Sequence, residues 1–132
     1  MALKQIVSTN FDWVTARAGC SPVEAFERLR LQIEKDIKTR QSLARKDRKF
    51  SMEGADVESF SVLVEGSDVR TVVRFSLSDR GNIVVRDATG STMFEAVLTL
   101  SDDGECRLKI NGKEYDFWQV LRKALEGIFF EM

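Results

Sequence analysis

Apolar residues recur along this chain with two different periods, and the switch between them divides it into three parts. Phe26, Leu29, Ile33, Ile37 and Ala44 follow spacings of three, four and seven, the stripe of one helix face. Ser21-Pro22-Val23-Glu24 opens that stretch with Ser at the N-cap, proline at the first helical position and Glu at the third. The pattern predicts a long helix from residue 22 to about 44–46. A shorter helix is expected before it over residues 10–18, capped by Asn10, ended by Gly19, with Phe11 and Val14 on one face. Leu3–Val7 reads as a short strand.

After residue 49 the period falls to two. Phe60, Val62 and Val64 share a face, as do Val69, Thr71, Val73, Phe75 and Leu77. Ile83 and Val85 come next, then Phe94, Ala96, Leu98 and Leu100, then Cys106, Leu108 and Ile110. The alternate positions hold Arg70, Arg74, Arg86, Glu95, Thr99, Arg107 and Lys109, which gives the sheet one wet side. Gly54, Gly66, Gly81, Gly90, Gly104 and Gly112 punctuate these runs, and Asp79-Arg80-Gly81-Asn82, Asp102-Asp103-Gly104 and Asn111-Gly112 have turn chemistry. With Lys49–Glu53 as an edge strand, the pattern predicts five or six antiparallel strands joined by hairpins.

The helical period returns at Asp116-Phe117-Trp118-Gln119, where Asp is expected to cap and Gln occupies the third position. Wound at ~100° per residue, Val120, Ala124, Phe117, Ile128, Leu121, Leu125, Trp118 and Phe129 cover nearly half the circumference. That is wider than the ~100° stripe of a surface helix, so this helix must be covered on more than one side. The expected fold is α+β: a short and a long N-terminal helix, a curved antiparallel meander and a C-terminal helix. Residues 1–132 read as one domain, without repeat or linker, and the one proline stands at a helix start.

Composition alters this picture mainly by what it removes. The chain has no histidine and two cysteines, which excludes Ser-His-Asp and Cys-His nucleophilic sites and the common zinc sites. No glycine-rich phosphate loop or EF-hand pattern occurs, so no cofactor and no metal are expected. No apolar run reaches the ~20 residues of a membrane span, and the first residues lack the basic and apolar regions of a signal peptide. Two cysteines could pair, but without secretory context Cys20, just before the Ser21 cap, and Cys106, on an apolar strand face, are read as reduced core thiols, and the cytoplasm is the expected compartment.

Charge is uneven: residues 1–49 carry a net +5 and residues 50–132 a net −6. Lys38, Arg45, Lys46, Arg48 and Lys49 make a basic patch near the end of the long helix. It suits phosphate or an acidic partner, although the same arrangement of early acids and late bases complements a helix dipole. No Trp or Tyr interleaves it, so a stacking platform for single strands is lacking. Trp118, Leu125 and Phe129 follow one edge of the wide C-terminal arc and are the candidate partner interface. The leading expectation is a non-enzymatic cytosolic protein-binding or adaptor module that forms a homodimer through its helices. Association with nucleic acid through residues 35–49, and carriage of a small apolar ligand, are the alternatives.

Overall fold

The computed structural model describes residues 10–44, 47–54 and 58–130. The strand expected at Leu3–Val7 lies outside these residues, as do Arg45 and Lys46 of the basic patch. Two helices come first: α1 (Trp13–Gly19) and α2 (Pro22–Leu43). Seven strands follow: β1 (Lys49–Glu53), β2 (Ser59–Glu65), β3 (Arg70–Leu77), β4 (Ile83–Arg86), β5 (Thr92–Leu100), β6 (Cys106–Ile110) and β7 (Lys113–Tyr115). The helix α3 (Phe117–Phe130) closes the order.

The α2 helix starts as its sequence dictates: Ser21 Oγ accepts the Glu24 amide proton at 3.3 Å, and Pro22 holds the first helical position. The α1 helix starts two residues later than expected. Asp12 is its cap, accepting from the Thr15 amide at 3.1 Å and the Thr15 hydroxyl at 2.6 Å. Gly19 is the last residue of α1, and Cys20 follows as the C-cap at φ −91°, so no left-handed glycine ends it.

Among the described residues, the seven strands lie in sequential order and pair antiparallel, which makes an open meander. The expected count of five or six misses β7, three residues that are too short to show an alternation of their own. The turn leading into it is legible, because Asn111 and Gly112 take φ 51° and 80°. Positive φ at both central residues is the backbone of the hairpin turn that Asn-Gly favours. The β5 strand pairs β4 over Thr92–Ala96 and β6 over Val97–Leu100, so the sheet steps sideways along its length.

One face of the sheet meets α2 and α3. Phe60, Val62, Val64, Val73, Phe75, Ile83, Val85, Ala96, Leu108 and Ile110 point into the core, joined by Phe26, Leu29, Ile33 and Ile37 of α2. The Phe60 ring is the centre of an aromatic stack, 5.0 Å from Phe26 and 5.0 Å from Phe75. Burying each such side chain is worth about 1.5–3 kcal/mol. The other face is not uniformly wet, since Leu63 and Val84 are buried there.

Cys20 and Cys106 form a disulfide that ties the α1–α2 junction to the first residue of β6. They are not the reduced thiols expected from the sequence, because folding brings two residues 86 positions apart to a Cα–Cα distance of 5.4 Å.

Candidate functional site: a groove between the long helices

The α3 helix is covered on two sides, as its wide apolar arc requires. Phe117, Val120, Leu121, Ala124, Leu125 and Phe129 are buried against the sheet and α2. Two contacts fix how the helices lie together. The Arg28 guanidinium sits 4.0 Å from the Phe117 ring centroid, and Arg40 Nε donates to the Phe129 carbonyl at 2.8 Å. The same residue offset separates these contacts on each helix, so α2 and α3 run parallel.

The start of α3 departs from a full capping box. Gln119 Oε1 accepts the Asp116 amide proton at 2.8 Å, as expected. The Asp116 carboxylate instead accepts from Arg107 Nε at 2.7 Å, while Arg107 Nη1 donates to Asp103 at 2.7 Å. These hydrogen bonds, Asp103 first and then Asp116, hold the guanidinium protonated well above its ordinary range. The end of α3 has no basic residue in its last turn. Arg40 of α2 supplies that charge from outside, where a cation at a helix C-terminus is worth about 0.3–1 kcal/mol. It is held there between rings, 4.9 Å from the Phe50 centroid and 4.6 Å from that of Phe130.

The two helices leave a groove of about 410 Å³ between them. Asp36, Thr39, Arg40 and Leu43 form the α2 wall; Leu121, Leu125 and Phe129 lie along the α3 side. Trp118, Arg122, Glu126 and Phe130 stand at its outer edge, with Arg122 Nε 3.2 Å from Glu126 Oε1. Three large apolar side chains around it are open to solvent: Leu43 at 72%, Phe130 at 65% and Trp118 at 58%. Trp118 also borders a second recess, of about 450 Å³, lined by Arg28, Gln32, Cys106, Arg107 and Asp116.

The three interface candidates from the sequence thus share one groove but differ in access. Trp118 is exposed at its rim, whereas Leu125 and Phe129 are buried, 3% and 8% exposed. Leu43, Phe130 and the Arg122–Glu126 pair complete the site and were not singled out. Leu43 falls off the α2 apolar stripe, and an exposed apolar residue at that phase is the one signal that could have found it.

Of the basic patch, Lys38, Arg48 and Lys49 lie within the described residues. Lys38 and Lys49 are exposed, and Arg48 is half-buried. The Gln41 side chain clasps the start of β1, donating to the Arg48 carbonyl at 2.8 Å and accepting the Phe50 amide proton at 2.7 Å. Among the described residues, no group of three His, Cys, Asp or Glu side chains is placed to hold a metal, and no helix is long and apolar enough to cross a membrane. Comparison with protein families, curated proteins and solved structures finds no match to this chain.

Proposed function

We propose that this protein is a non-enzymatic binding module whose partner is a protein seated on the groove between α2 and α3. The observation that carries this reading is the exposure of Leu43, Trp118 and Phe130 around one apolar recess. Single exposed apolar residues are ordinary on any surface, but large ones gathered at one concavity mark interaction sites. Trp is among the residues that contribute most to association energy when a partner desolvates it. Helix-lined apolar grooves of this kind suit an amphipathic helix.

Nucleic-acid association through residues 35–49 has less to support it. Arg40, in the middle of that segment, is engaged by the end of α3 rather than presented outward. Carriage of an apolar ligand beneath the sheet likewise lacks support, because the Phe26, Phe60 and Phe75 rings fill the interior where it would sit. Reduced thiols accompany the expected cytosolic residence. The Cys20–Cys106 bond departs from that expectation, since structural disulfides persist in oxidising compartments and are rare in reducing ones.

The groove reading is tested by photo-crosslinking in the native host, with benzoyl-phenylalanine in place of Trp118 or, as a control, of Lys109 on the exposed sheet face. Protein adducts, self-adducts included, are expected at position 118 and not at 109. Absence of any protein adduct at 118, with nucleic acid co-purifying instead, overturns the reading in favour of the basic segment.

A further inference from the structure

We infer that the partner is a second copy of this chain, joined at the groove's rim through the outer ridge of α3 in antiparallel register about a two-fold axis. The inference rests on the protein-binding reading above. Trp118, Arg122, Glu126 and Phe130 follow one another at i+4 spacing and are all exposed, so they form a single ridge. Its order is aromatic, cation, anion, aromatic. Turned end for end, that order complements itself: Trp118 meets Phe130 of the second copy, and Arg122 meets Glu126 of the second copy.

A two-fold interface demands this kind of self-complementarity, because residue i must accept residue j and j must accept i. The i+4 ridge also has the right geometry. Two helices crossing at about −50° lay such ridges side by side, so all four positions stay in register along the contact. A parallel pairing would instead set Arg122 against Arg122 and Glu126 against Glu126. Within one chain Arg122 and Glu126 already pair at 3.2 Å. Two copies in antiparallel register turn these pairs into one alternating network of four charges. The aromatics at either end supply the apolar contact, and the charges choose partner and direction.

Charge reversal decides the matter, because the two single variants are predicted to fail alone and succeed together. Sedimentation equilibrium is run on wild type, Arg122→Glu, Glu126→Arg and an equimolar mixture of the two variants, with thermal melts confirming that each is folded. Wild type is expected at twice the 15.0 kDa chain mass at about 100 µM. Each variant alone carries four like charges across the ridge and should dissociate at least about tenfold more readily. The mixture restores four opposite-charge neighbours and should recover the dimer. Three results overturn the inference: a wild type that stays monomeric, a single variant that dimerises as wild type does, or a mixture that fails to pair. A monomeric wild type whose position-118 crosslinker still captures another protein leaves the groove reading standing. No adduct at position 118 removes both.

Discussion

Breaking the Cys20–Cys106 bond should cost this fold a large part of its stability. The bond closes a loop between residues 86 positions apart, and the chain-entropy relation for such a loop gives about 4.5 kcal/mol at 25 °C. A domain of this size has about 5–15 kcal/mol in total, so the reduced protein should stand near the edge of unfolding. The stabilisation acts mainly through the denatured chain, which the crosslink keeps compact. Reduction should therefore lower the urea midpoint and steepen the transition, because a more open denatured state exposes more surface. With a slope of about 1.5–2 kcal/mol/M, the midpoint should fall by about 2–3 M. Paired melts with and without reductant measure this, and the Cys20→Ala/Cys106→Ala chain should melt at or just below the reduced wild type. Thiol titration of the denatured, unreduced chain should find no free thiol. Two reactive thiols there, or equal midpoints in the paired melts, would refute the reasoning.

Other predictions follow from single positions. Ile33 is fully buried under the sheet, so Ile33→Ala should cost about 2–5 kcal/mol in a denaturant melt, whereas exposed Lys38→Ala should change it by less than about 0.5 kcal/mol. Gly127 lies inside α3 with nothing within 4 Å of where a Cβ would stand. Gly127→Ala should thus raise stability by about 0.5–1 kcal/mol and the thermal midpoint by about 2–4 °C. In the β4–β5 turn the Asp87 carboxyl is held below its usual range, first by the Thr89 hydroxyl and then by the Thr89 and Ser91 amides. Because its folded pKa is lowered, its contribution is present above the ordinary carboxylate range of about 4 and is lost as pH falls through the folded value. Asp87→Asn should flatten the acid side of a stability–pH profile, and an unchanged acid slope would count against the turn's role.

The parts of the fold that were legible in the sequence are those decided locally. The Ser21-Pro22-Val23-Glu24 cap, the α2 stripe and the alternation of β2, β3 and β6 each depend on neighbours within a turn or a strand, and each is found as read except at two ends: Ala44 is the extended C-cap of α2, and Val69 precedes β3 and is exposed. The parts that were not legible depend on residues far apart. The Cys20–Cys106 bond arises only because α2 lies across the sheet and delivers its N-terminal end to β6. Arg40 reads in sequence as one more cation in a basic run. In the fold its guanidinium neutralises the exposed carbonyl end of a helix that begins 77 positions later in the chain. At α1 the difference is local: the Thr15 hydroxyl and amide both donate to Asp12, which caps the helix two residues past the expected Asn10.

The same distinction moves the case for self-association to different residues. From the sequence, the half-circumference of apolar residues on α3 was itself the reason to expect a partner, since one sheet face or one helix would leave part of it bare. The chain uses both, and Phe117, Val120, Leu121, Ala124, Leu125 and Phe129 are all buried within it. Leu125→Glu would therefore place a charge in the core of a single chain, and a resulting loss of stability would say nothing about dimers. What the fold leaves uncovered is narrower: Trp118 and Phe130 at the two ends of a ridge, with Arg122 and Glu126 between them. Of these, Arg122 and Glu126 make no contact with the core, so a charge reversal that alters association there does so through the surface. The apolar width of α3 explains how the helix docks; the order of charges along its exposed edge is what can choose a partner.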